Sequence, residues 1–378
     1  MSTARDRFTY LDANATEPLR PQALAAMAAA AEVVGNPSSV HRAGRAARAL
    51  LETAREDMAT TFGVQPDNCI FTSGGTEANV LAMTGQAQGR RILVGATEHD
   101  AVRRAAAAEI VSVMSDGVID RMMLERLLAV PGAAPALVCI MLANNETGVI
   151  NPVREIADLC HAHGALLHVD AVQAAGRISF DMAALGADSI AVSGHKFGGP
   201  KGAGAVLLAG ERFRVLVPML AGGGQEQGRR GGTPALPAIA GMAAAARVAV
   251  AEIPHQATRL GALRDGIERA ARTVGAVVCG AASSRLANTT CLLLPGRQAQ
   301  TQLIVLDMAG YGVSAGSACS SGKVTRSHVL EAMGLGAEAG CAIRVSLPWS
   351  VAEADVEGFI AAYTAMAARL PAASGVGA

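Results

Sequence analysis

Aromatic residues make up only 3% of this 378-residue chain, with a single tryptophan, and so few rings exclude the base-stacking platforms of single-stranded nucleic-acid binders. Net charge is missing as well. With 32 Lys and Arg against 32 Asp and Glu, there is no electrostatic footprint for nucleic acid or for an anionic membrane surface, and a small molecule is the expected ligand. The seven cysteines (Cys69, Cys139, Cys160, Cys279, Cys291, Cys319, Cys341) are odd in number and include no CxxC pair, which argues against a disulfide framework. The longest uncharged run, 127–145, is broken by Pro131, Gly132 and Pro135 and ends in two asparagines, so no membrane span is expected there. Arg5, Asp6 and Arg7 occupy a start that lacks the apolar stretch of a signal peptide, and the expected location is the cytoplasm.

What is present is small and apolar: 51% of residues are hydrophobic and 42 are glycine. Short apolar runs at 68–72, 91–94, 137–142, 166–169, 189–192 and 204–208 alternate with amphipathic stretches at 43–62, 77–86, 153–163 and 235–251. This alternation predicts an α/β fold with a mostly parallel sheet flanked by helices. After Pro254 the pattern restarts, with helices expected near 258–271, 299–308, 328–333 and 352–370 and strands near 276–279 and 289–294. We therefore expect a large domain over 16–254, and a smaller α+β domain formed by 1–15 with 255–378.

Three segments carry chemistry. Thr72-Ser73-Gly74-Gly75-Thr76-Glu77-Ala78-Asn79 follows a strand and opens a helix, which suits either an ordinary capped glycine turn or a phosphate cradle. Asp170 ends the strand of His168-Val169-Asp170, where it can cap the next helix or face a cationic ring nitrogen. Lys196 lies in Ser193-Gly194-His195-Lys196-Phe197-Gly198-Gly199, either as a solvated loop lysine or as a desolvated amine able to form a Schiff base. In this order the three are the parts a pyridoxal 5'-phosphate site requires.

With these parts in place, the chain resembles the cysteine desulfurases, of the class V aminotransferase group of fold-type I pyridoxal-phosphate enzymes, over nearly its full length. The resemblance rests on Tyr10-Leu11-Asp12 with Asn14-Ala15-Thr16, Gly35-Asn36-Pro37-Ser38-Ser39 with His41, Glu98-His99, Ala143-Asn144-Asn145-Glu146-Thr147-Gly148, Gly222-Gly223-Gly224-Gln225-Glu226, Gly232-Thr233 and Gly316-Ser317-Ala318-Cys319. It implies that Lys196 carries the cofactor, that Asp170 keeps its ring nitrogen protonated, and that His99 stacks on the ring and moves protons. Gln173 and Asn145 would face the ring oxygen. Gly75, Thr76, Ser193 and His195 would hold the phosphate, joined by Thr233 from the second subunit of a homodimer. Arg344, with Asn145 nearby, would bind the substrate carboxylate.

Cys319 sits among small residues, where a thiol is exposed to reaction rather than packed. The resemblance makes it the nucleophile that takes sulfur from L-cysteine as a persulfide, releases L-alanine, and passes sulfur to an acceptor such as an iron–sulfur scaffold protein. Other activities of the same fold are a selenocysteine lyase and other pyridoxal-dependent lyases or transaminases. The spacing from Cys319 to Ser327-His328-Val329-Leu330 resembles group I members. Ala315 and Pro348 depart from the family, which often has serine and glycine there. Two further clusters carry no expected role: Cys160-His161-Ala162-His163 matches no zinc spacing, so no metal is expected, and Arg229-Arg230 is too short for a nucleic-acid patch.

Overall fold

The computed structural model describes residues 8–210, 216–316 and 326–370. A seven-stranded sheet runs through its larger core in the order Cys69–Thr72, Gly204–Leu208, Ser189–Ser193, Leu166–Asp170, Ala136–Met141, Arg91–Gly95, Glu109–Val111. Only Gly204–Leu208 is antiparallel to its neighbours. Six of these strands fall where the apolar runs predict them. The seventh, Glu109–Val111, is a short edge strand with two exposed residues, too polar to register as an apolar run.

Helices cover the sheet by burying one stripe each. In Arg42–Phe62, Ala47, Leu51, Ala54, Met58 and Phe62 recur every three or four residues and all are buried. The His41 side chain accepts a hydrogen bond from the Gly44 N–H at its start, and Gly63 ends it in the left-handed region at φ 70°.

A second core gathers Leu11, Leu292, Leu306, Ile343, Val345, Phe359 and Tyr363. Its sheet is antiparallel, in the order Ala342–Ser346, Thr289–Leu293, Val277–Val278. The N-terminal strand Thr9–Tyr10 pairs with Tyr311–Gly312, and Asp12 bridges to Ser346. Residues 9–12 are thus hydrogen-bonded to the last third of the chain.

One expectation is corrected. The sequence places a helix break at Pro254, but Leu236–Thr273 is a single 38-residue helix with Pro254 inside it. A proline within a helix removes one N–H bond and costs about 3 kcal/mol. Burial on both sides offsets that cost: Leu236, Ile239, Met242 and Ala246 pack into the larger core, and Leu260, Ile267 and Ala271 into the second. This is also the one helix among the described residues long and apolar enough by composition to cross a membrane, and 56% of its most apolar window is buried inside the protein.

Candidate active site

A cavity of about 330 Å³ opens at the carboxyl ends of the parallel strands. In open α/β sheets this edge collects ligands, because each strand end hands the chain to a loop that can point into the crevice. Asp170 and Ser193 are the last residues of their strands, and Lys196 follows in the turn Gly194–Lys196. Gly75 and Thr76 open the helix Gly75–Gln86 on one wall, and Arg344 reaches in from the second sheet.

Glycine is required at the helix entrance. A Cβ on Gly75 would lie 2.8 Å from Val172 Cγ2 and 3.2 Å from Ser193 Cβ, while Gly74 adopts φ 156°. Beside it, the Ser193 hydroxyl is buried with no hydrogen-bond partner among the described residues. An unsatisfied buried hydroxyl next to free helix N–H groups fits an anion such as phosphate. His195 completes that corner; burial and the nearby cations lower its pKa to about 4, so it is neutral, with Nδ1 3.2 Å from Thr16 Oγ1.

Lys196 Nζ donates to the Asn14 carbonyl at 2.6 Å and the Ala15 carbonyl at 3.1 Å. Burial, followed by the Arg344 and Arg177 guanidiniums, lowers its pKa to about 7. Near neutrality, half of this amine is unprotonated and nucleophilic. Capture of an aromatic aldehyde by the apoprotein, followed by absorbance, should be half-maximal near pH 7 and fall about tenfold per pH unit below it. A profile centred near pH 10 would contradict this environment.

Asp170 accepts from the Val172 N–H and from Asn79 Nδ2, both at 2.9 Å. Burial pushes its carboxyl up, and these donors, with His99 and Lys196, pull it back. His99 Nδ1 accepts from the Ala101 N–H at 3.1 Å, which leaves the ring proton on Nε2. Gln173 donates to the Asn14 carbonyl at 3.0 Å and accepts from Arg177. Arg344 donates to the Asn145 carbonyl at 3.1 Å and to Asp12 at 2.6 Å, and its Nε is buried without a partner among the described residues.

The cavity thus unites Gly75, Thr76, His99, Asn145, Asp170, Gln173, Ser193, His195, Lys196 and Arg344. Two of the expected residues are not in it. Thr233 is exposed and lines a separate cavity with Phe71, Ser73 and Arg230. Cys319 lies outside the described residues. The sequence reading assigned no role to Asp12, Asn14, Asn79 or Arg177. Asp12, Asn14 and Asn79 stand within its motifs; Asn79, one helical turn after Thr76, carried the clearest signal.

The remaining clusters have structural partners. Cys160 is in the core, His161 pairs with Asp188 at 3.0 Å, and no group of metal-binding side chains occurs among the described residues. Arg230 pairs with Glu77 at 2.7 Å, tying the loop before Thr233 to the helix entrance.

A sheet of this order with a lysine, an aspartate and an anion cradle at its carboxyl edge defines a fold-type I enzyme. The model of the aminotransferase class-V family matches residues 9–359, and the chain belongs to that family. It is 38% identical to an IscS-like cysteine desulfurase of Mycobacterium tuberculosis, covering 93% of this chain and 94% of that one. It is equally 38% identical to a cysteine desulfurase of Cereibacter sphaeroides, over 98% of each. The NifS-like protein of Rickettsia africae superposes with a TM-score of 0.88 at 34% identity, over 95% of this chain and 99% of that structure.

Proposed function

We propose that this protein is a pyridoxal 5'-phosphate-dependent cysteine desulfurase, which converts L-cysteine to L-alanine and collects the sulfur as a persulfide on Cys319. The observation that carries this reading is the convergence of Lys196, Asp170 and Arg344 on one cavity beside the unsatisfied Ser193 hydroxyl. These residues fit the cofactor in chemistry: an amine lowered to about pH 7 for its aldehyde, a carboxylate for its ring nitrogen, and a hydroxyl with helix N–H groups for its phosphate. When bound, the cofactor supplies an electron sink for the bonds broken at the substrate.

Each side chain then has a task. Gly75, Thr76, Ser193 and His195 would hold the phosphate, joined by Thr233 from the second subunit of a homodimer. Asp170 would keep a proton on the ring nitrogen, Gln173 and Asn145 would hold the ring oxygen, and His99 would support the ring. Arg344 would bind the α-carboxylate, its guanidinium oriented by Asp12 on Nη2 and by the Asn145 carbonyl on Nη1. Lys196 would hold the cofactor through its aldehyde and take the proton from the substrate Cα. The Cys319 thiolate attacks the substrate sulfur; the new S–S bond forms as the carbon–sulfur bond breaks, and its electron pair stays with the carbon that leaves as alanine. Sulfur then passes to an acceptor protein, of the iron–sulfur assembly kind, in the cytoplasm.

The test is product analysis of the cofactor-loaded protein with L-cysteine and a reducing thiol. Alanine and sulfide should appear in equal amounts. A loaded protein that forms neither, but turns over selenocysteine or transaminates a keto acid, would replace this reading with one of those activities.

A further inference from the structure

Behind Asp170 runs a line of buried polar side chains to which the proposed chemistry assigns no role. Two periodicities bring them together. Asn79 and Gln86 are seven residues apart, on one face of the helix Gly75–Gln86. His168 and Asp170 are two apart, on one face of their strand, and His168 is directly opposite Ser189 on the neighbouring strand. All five are buried, His168 and Ser189 completely.

The contacts form a chain. Asn79 Nδ2 lies 2.9 Å from Asp170 Oδ2, Asn79 Oδ1 2.9 Å from His168 Nε2, His168 Nδ1 2.8 Å from Ser189 Oγ, and Ser189 Oγ 3.3 Å from Gln86 Oε1. Its direction follows from counting protons. Asn79 gives its N–H to Asp170, so its oxygen must accept from His168 Nε2–H. Burial lowers the His168 pKa to about 3, so the ring is neutral and Nδ1 can only accept. Ser189 has one proton and gives it to Nδ1. As placed, its oxygen faces Gln86 Oε1; with the Gln86 amide turned over, Nε2, which has no partner as placed, becomes the donor at this contact.

We infer that His168 is a positioning residue for Asp170, the centre of a one-way hydrogen-bond relay from Gln86 through Ser189, His168 and Asn79 that holds the Asp170 carboxylate ionised. Every donor in the chain points toward Asp170, and aligned hydrogen bonds strengthen one another. A proton on Asp170 would weaken its acceptance from Asn79, and reversing that hydrogen bond would require both amides to turn over, the histidine tautomer to exchange and the serine proton to rotate. The relay therefore opposes the burial that pushes the Asp170 carboxyl up. The other titratable groups facing Asp170 are His99, Lys196 and Glu98. The inference rests on the proposed pairing of Asp170 with the cofactor ring nitrogen.

The test is equilibrium binding of pyridoxal 5'-phosphate to the apoprotein, compared with the analogue in which C–H replaces the ring nitrogen. His168→Leu should bind pyridoxal 5'-phosphate about tenfold more weakly, with a smaller loss for the analogue, as expected when a hydrogen bond to a charged group is lost. His168→Gln, whose amide can accept from Ser189 and donate to Asn79, should stay within about threefold of the wild type. Ser189→Ala should fall between them, and carries the test if His168→Leu does not fold. Equal losses for both ligands, or equal binding by all variants, would overturn the relay. A wild-type protein that does not distinguish the two ligands would instead remove the pairing on which the relay rests.

Discussion

Lys196→Ala should lower the turnover of L-cysteine by at least about 10³-fold, because in the proposed reaction one side chain both carries the cofactor and moves the substrate proton. The surrounding structure explains why lysine works at this position. Its amine is held by the Asn14 and Ala15 carbonyls, and burial with two nearby guanidiniums keeps half of it unprotonated near pH 7. The measurement has two parts: alanine release, and covalent trapping of the cofactor on the chain by borohydride. Wild-type protein should be labelled on the peptide that contains Lys196, and the variant should not. Labelling of Lys201 in the variant, with activity kept, would move the role to that neighbour.

Cys319→Ala should reduce sulfide production by about 10³-fold or more while leaving cofactor capture at Lys196 unchanged. The two variants thus separate two functions. In the proposed reaction Lys196 prepares the substrate and Cys319 accepts its sulfur, so the cysteine variant should still bind L-cysteine and change the absorbance of the loaded protein. The other six cysteines cannot substitute, since each is buried, and burial raises the thiol pKa of Cys69, Cys139 and Cys160. Persulfide detection by mass spectrometry after one turnover should find the extra sulfur on the Cys319 peptide alone. Full sulfide release by Cys319→Ala would sink the persulfide mechanism.

Much of the architecture and most of the site was legible in the sequence. Six strands of the large sheet stood out because strands buried on both faces are continuous apolar runs, and Asp170, Ser193 and Lys196 were visible as the polar residues where those runs stop. Pro254 misled because local propensity argues for a break, whereas the helix is held by packing into two cores, most of whose residues are distant from Pro254 in the sequence.

By itself the sequence determined the element types, the edge of the sheet where ligands gather, and the residue types needed for an amine, an acid and an anion cradle, since each is set by neighbours within a few positions. The tertiary structure alone decided how those residues are tuned. Asp12 meets Arg344 across 332 residues, Asn14 reaches Lys196 across 182, and His168 reaches Asn79 across 89. Helix and strand periods tell which side chains share a face, but not which element packs against that face. Burial, the direction of a buried hydrogen-bond chain and the resulting shifts in protonation exist only once the elements are packed together.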